Sequence, residues 1–203
     1  MRHMMRWMLA ILMLAGLAGC QSSKMIKAEA LETAPTPAPG KAMVVFFRAS
    51  SYGGGVQASV YDTGEASDRF IGIVSSKTKI AWQAEPGDHL FMVVAENADF
   101  MIAHLEAGKT YCALVSPRMG VWKARFSLLP VHNDTAAKYN LHSADFQEWM
   151  QSTSWVRNTA ESEAWFKEHE GGIREKKVDY LRKWNAADPQ QHNELTLAAS
   201  DGV

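Results

Sequence analysis

EPGDHLFMVVAENADFMIAHLEAGKTYCALVSP, residues 85–117, decides the fold class. It holds three short apolar runs, HLFMVVAE (89–96), DFMIAHLE (99–106) and TYCALVSP (110–117), rich in aromatic and β-branched residues. Pro86-Gly87-Asp88 precedes the first run and Ala107-Gly108-Lys109 precedes the third. Proline presets φ for one turn position and glycine accepts positive φ at the next, which suits a type II turn. β-type runs spaced about ten residues apart indicate an antiparallel sandwich or barrel rather than alternating strands and helices.

Working outward, the same signal continues on both sides. AMVVFFR (42–48) is apolar throughout, as a strand buried on both faces would be; QASVYD (57–62), FIGIV (70–74) and KIAWQA (79–84) follow, and VWKARFSLLPV (121–131) completes eight runs. In the last, Trp122, Ala124, Phe126 and Leu128 alternate with Val121, Lys123, Arg125 and Ser127, so the first set faces a core. The fold class expected is mainly β with an α extension: an antiparallel β-sandwich of seven to eight strands over residues 42–131, followed by C-terminal helices. Gly53-Gly54-Gly55 reads as a flexible hairpin loop, because no Gly-Lys-Ser/Thr follows and no helix N-terminus awaits a phosphate.

After Val131 the pattern turns helical over 132–187. SADFQEWM (143–150) suits a short helix, and Asn158 with Glu161 three residues on resembles a capping box. Trp165, Phe166, Ile173, Val178, Leu181 and Trp184 then fall on one helical face. Gly171-Gly172 interrupts it at about 2 kcal/mol relative to alanine, so residues 159–186 form either one helix or two. Residues 188–203 read as a polar, frayed tail.

The N-terminus carries an address. Arg2 and Arg6 precede an apolar run from Trp7 to Leu17, spanning about 16 Å of a ~30 Å hydrocarbon core. That is a signal peptide, too short for a spanning helix. Leu17-Ala18-Gly19-Cys20 resembles the lipobox of bacterial lipoproteins. The resemblance implies cleavage between Gly19 and Cys20, a diacylglycerol thioether on Cys20 and an acylated amine (palmitate among the chains). Gln21 stands where aspartate would favour retention at the inner membrane, so the expected place is the outer membrane of a Gram-negative bacterium, facing the periplasm. Residues 20–41, with Pro35, Pro37 and Pro39, read as a stiff tether.

The β part has a likeness of its own. VVFFR ending at Arg48, Ile71-Gly72, EPGDH (85–89) and LEAGKTY (105–111) resemble small envelope β-sandwiches of the PEGA or carboxypeptidase-regulatory kind. The likeness covers Val44 to Val115, about seventy residues. DTGEASDR (62–69) is longer than the turn usual there, and Cys112 replaces an aromatic, implying a lengthened loop and a smaller core residue. The family implies a fold and a setting, with no activity attached.

Composition and motifs bound the chemistry. Of 21 Lys and Arg, removal of Arg2 and Arg6 leaves 19 against 22 acidic residues, a net charge near −3 with no basic stripe, so nucleic acid is not an expected partner. With Cys20 lipidated, Cys112 has no cysteine to pair with, and it reads as a small buried hydrophobe. His89, His104, His132, His142, His169 and His192 show no metal-ligand spacing; no cofactor or metal is expected. Asp88, Asp99 and Asp145 suggest no glycosidase pair, and no G-x-S-x-G occurs. Trp155 is the candidate partner contact, the other C-terminal tryptophans being packing residues. The reading is a lipid-anchored, non-catalytic protein that binds an envelope protein or peptidoglycan; the alternatives are a hydrolase with a dispersed site and a purely structural protein.

Overall fold

A computed structural model describes residues 24–27, 35–52, 55–64, 67–118 and 125–203. Gly19, Cys20 and residues 1–19, the expected signal peptide, lie outside the described residues. The eight expected runs give strands, the last from Arg125 on, since 121–124 with Trp122 and Ala124 lie outside the described residues; three short strands join them. They are β1 (Ile26–Lys27), β2 (Ala42–Arg48), β3 (Ala58–Thr63), β4 (Asp68–Val74), β5 (Thr78–Ala84), β6 (Gly87–Val94), β7 (Ala98–Leu105), β8 (Thr110–Arg118), β9 (Arg125–Val131), β10 (Ser154–Arg157) and β11 (Thr196–Leu197). Three helices follow the β region: α1 (Ala144–Ser152), α2 (Ala160–Asn185) and α3 (Pro189–Glu194). None of the described helices is long and apolar enough to cross a membrane.

The strands make two sheets, ordered β1-β10-β5-β2-β8-β9 and β11-β7-β6-β3-β4. The mainly β, two-sheet class therefore holds, with one correction: the sheets are mixed. Strand β2 runs parallel to β8, β10 to β5 and β11 to β7. The cause is a crossover: β2 and β3 lie in different sheets, so the glycine segment after β2 carries the chain between layers and is no hairpin. Arg48 is fully buried, and burial pushes its pKa down. Its guanidinium donates to the carbonyls of Val56 (2.6 Å) and Tyr52 (2.8 Å) and lies 4.7 Å from the Phe126 ring centre. Both ends of the crossover are thereby tied to one side chain.

Neighbouring residues Phe46 and Phe47 are both fully buried and face opposite ways. Phe46 meets Phe91 edge to face at 5.1 Å between the sheets; Phe47 meets Phe146 and Trp149 of α1 at 6.0 and 5.9 Å on the outer face. A strand covered on both faces is why AMVVFFR shows no alternation. The second sheet is covered by α2, where Phe166 stacks on Phe70 at 5.0 Å and Trp184 tilts against Phe100 at 5.8 Å. The layers are α1, sheet, sheet, α2. Phe126 and Leu128 face the core as their alternation requires.

Helix starts follow local chemistry. The Ser143 hydroxyl accepts from the Phe146 amide at 3.1 Å. On α2 the cap is Thr159, one residue later than the sequence suggests, with Ser162 completing the box. That helix is continuous through Gly171 and Gly172. Packing carries it: Ile173 and Trp184 are buried, and Lys176 and Lys177 donate to the carbonyls of Ala95 and Gly64. Val178 is a correction to the expected face. It is 56% exposed, while Tyr180 and Leu181 pack inward.

Residues 132–187 are no appendage, because they supply β10, which lies between β1 and β5. Residues 188–203 are no frayed tail either. They form α3, β11 and a 3-10 turn, with Leu197 fully buried. Asp201 accepts from the amides of Asn133 (3.0 Å) and Ala198 (2.8 Å) and lies 2.9 Å from His132 Nδ1. Val203 exchanges both backbone hydrogen bonds with Thr110, at 2.7 and 3.1 Å. The tether is shortened too. Residues 26–27 pair with β10, and Gln83 holds Thr36 and Ala38.

Candidate functional site: a cleft under the long helix

The residues singled out by sequence are scattered. Trp155 sits in β10, half-buried, with Lys79 Nζ 4.9 Å from its ring centre. The buried Lys79 amine also donates to the Met150 carbonyl near the C-terminal end of α1, and burial pulls its pKa down. Cys112 faces the α1 layer among Met43, Val45 and Phe47. Burial pushes its thiol up to about 12, so little of it is the nucleophilic thiolate at neutral pH.

Each of the six histidines among the described residues has a partner. His104 meets Asp88 across the β6–β7 ladder at 2.6 Å, and His142 meets Asn133 at 2.8 Å. His169 and His192 hydrogen-bond the Trp165 and Trp184 carbonyls and lie against the same indoles, with ring centres at 4.7 and 4.5 Å. Among the described residues, no three His, Cys, Asp or Glu side chains gather as metal ligands would. Asp99 accepts from the Leu128 amide and faces Arg118 at 3.5 Å; burial nevertheless holds its carboxyl above the usual range.

One buried charged network was not visible in the sequence. Asp62, 2% exposed, takes His89 Nδ1 at 3.0 Å, Arg69 Nη2 at 2.5 Å and the Trp82 indole N–H at 3.4 Å. His89 Nε2 reaches the Glu85 carbonyl at 2.8 Å. Both ring nitrogens face acceptors, which fits the doubly protonated imidazolium. The hydrogen bond to Asp62 is the main cause of its raised pKa. With neither nitrogen free to take a proton, the pair works as a strut rather than a general base.

The cleft lies between α2 and the second sheet. Val56, Ile73, Val94, Ala95, Trp165 and Ile173 wall an apolar cavity of about 240 Å³, with Glu96, His169 and Lys176 at its rim. That is below the ~300 Å³ of drug-sized pockets, and it suits one apolar side chain or a single ring. Trp165, His169, Gly172 and Lys176 recur at four, three and four residues, so they form one stripe of α2. A larger groove of about 590 Å³ further along α2 is built around the Lys177–Asp68 ion pair, with its charges matched at 2.6 Å.

Gly172 is the instructive wall. A Cβ there would meet nothing within 4 Å, and the same is true of Gly171. Packing does not call for either glycine, and each costs about 1 kcal/mol of helix stability relative to alanine. What Gly172 does is leave the cavity open. Sequence showed the glycines as a break and Trp165 as a packing residue; only the pairing of α2 with β3, β4 and β6 residues puts them in one wall. No family model matches this chain, and no curated protein matches it.

Proposed function

We propose that the chain is a lipid-anchored envelope protein, held at the outer membrane through Cys20 and facing the periplasm, which binds rather than catalyses. Its ligand is an apolar side chain of an envelope protein, taken into the cleft beside Trp165. The lipobox Leu17–Cys20 supports the anchor, and the PEGA-like glycines Gly87 and Gly108, both at positive φ, support the setting. The observation that carries the binding reading is Gly172: a mid-helix residue that weakens α2, has open space where a Cβ would stand, and lines an apolar cavity.

The experiment compares crosslinked envelopes carrying wild type, Gly172→Leu, Gly171→Leu and Cys20→Ala. Both glycine replacements raise stability by about 1 kcal/mol in urea unfolding. Only Gly172→Leu fills the cavity and loses the crosslinked protein; Gly171 does not line it. Cys20→Ala loses lipid labelling and membrane retention. Equal recovery with all three acylated forms removes the cleft as the binding site. A mature wild-type chain that starts elsewhere without acyl groups removes the anchor. A muropeptide recovered with the same Gly172 sensitivity moves the ligand from protein to peptidoglycan.

A further inference from the structure

The folded body begins almost at the anchor. The Lys24 carbonyl accepts from the Thr159 hydroxyl at 2.7 Å, the same hydroxyl that caps α2 by accepting from the Ser162 amide. Lys24 Nζ lies 3.7 Å from Glu161. Met25 is 4% exposed, and its methyl group lies 3.0 Å from where a Cβ on Gly72 would stand. Ile26 and Lys27 pair antiparallel with Arg157 and Val156. Four peptide steps separate Cys20 from Lys24, and an extended chain covers at most about 14 Å in that number. Further on, Thr36 and Ala38 are held by Gln83, and Lys41 pairs with Glu85. The proline stretch lies along the body instead of bridging to a membrane.

Resting on the Cys20 lipidation proposed above, we infer that the end of the molecule formed by β1, β10 and the N-terminus of α2 is a membrane-contact surface, lying on the phospholipid headgroups. A reach of about 14 Å from an acylated thiol at the hydrocarbon edge scarcely clears a polar layer that is itself about 5–8 Å thick per leaflet. Of the charges on these elements, Lys24 is paired with Glu161, Arg157 and Glu163 are exposed, and Lys27 lies in β1, a net of one positive charge. Their balance gives no strong attraction to anionic lipid, so the short link itself holds the surface down. The far end of α2 lies about 39 Å along the axis, at 1.5 Å for each of its 26 residues. Its outward residues, among them Lys167, Glu168, Glu175 and Asp179, offer no apolar stripe that would lay it flat in the interface. The Gly172 cleft, 12 residues into the helix, lies about 18 Å along the axis from the contact end.

The test uses the full mature protein, acylated and reconstituted in phosphatidylethanolamine–phosphatidylglycerol vesicles, in a Cys112→Ala background. A bimane label is placed at Arg157→Cys or Asn193→Cys, and the quencher is a phospholipid spin-labelled on its headgroup. Mass spectrometry of the N-terminal peptide is read on the same sample. The expected result is an acylated peptide, quenching at 157 and none at 193. Inserting about twelve Gly and Ser residues between Ser22 and Ser23, about 19 Å on average, releases the quenching at 157. An acylated protein quenched equally at both positions, or at neither, overturns the contact surface and leaves the anchor standing. A peptide without acyl groups overturns the anchor and this inference with it.

Discussion

Replacing Asp62 with alanine destabilises the fold by about 3–5 kcal/mol, the usual cost of removing one partner from a buried ion pair. Asp62 is 2% exposed and the His89 side chain 7%, so little water reaches either group. The variant leaves the His89 imidazolium and the Trp82 N–H facing a gap, while the half-exposed Arg69 turns to solvent. The pH dependence is distinctive. His89 gains its partner on folding and its folded pKa is raised. The pair's contribution is therefore fully present below the unfolded histidine value of about 6.5, and it fades as pH rises through the folded value. Urea unfolding at pH 6 and pH 9 checks this. The gap between wild type and Asp62→Ala narrows at the higher pH; a gap that widens would show that His89 is not charged in the folded protein.

Removing residues 195–203 abolishes stable folding at 37 °C. The loss combines several terms of known size. Leu197 is fully buried, and truncating such a residue to alanine alone costs about 2–5 kcal/mol. Gone too are the β11 pairing with Ile102 and Ala103, the Asp201 carboxylate that takes two amides and His132, and the Val203 bonds to Thr110. A domain with about 5–15 kcal/mol in total does not survive that sum. Thermal unfolding followed by circular dichroism, with Leu197→Ala as the milder companion, provides the measurement. A truncated protein melting within a few degrees of wild type would return these residues to the status of a tail.

Much of the β region was legible because strand identity is local. Eight runs were readable from aromatic and β-branched content and from the turns between them, and Phe126 and Leu128 faced inward as their alternation required. Sheet membership was not legible. Whether β2 pairs with β3 or crosses to β8 depends on the layer in which the chain re-enters, and nothing in SYGGGVQ encodes that. The two ends were misread for a common reason. Residues 188–203 and 20–41 are poor in large apolar side chains; of these, 188–203, 24–27 and 35–41 are held by backbone hydrogen bonds and by single residues such as Met25, Leu197 and Asp201. Hydrophobic pattern is blind to that kind of attachment. The Asp62–His89 pair was invisible because its members are 27 positions apart and meet only once β3 and β6 lie side by side. Of the cleft, Trp165 and the glycine pair were conspicuous in the sequence, but their common wall was not.

The bond between Thr110 and Val203 sets a clock. The strand beginning at Thr110 is made early, and its partner Val203 is made much later. At about 5–20 residues per second, the ribosome needs on the order of ten seconds to supply the stretch between them. Through that interval the growing chain carries β2 without its α1 cover and β7 without β11. These are open apolar surfaces and unpaired edges, the features that make a partly made chain prone to aggregate. The two sheets are thus completed late, by segments that lie far along the chain from the strands they cover.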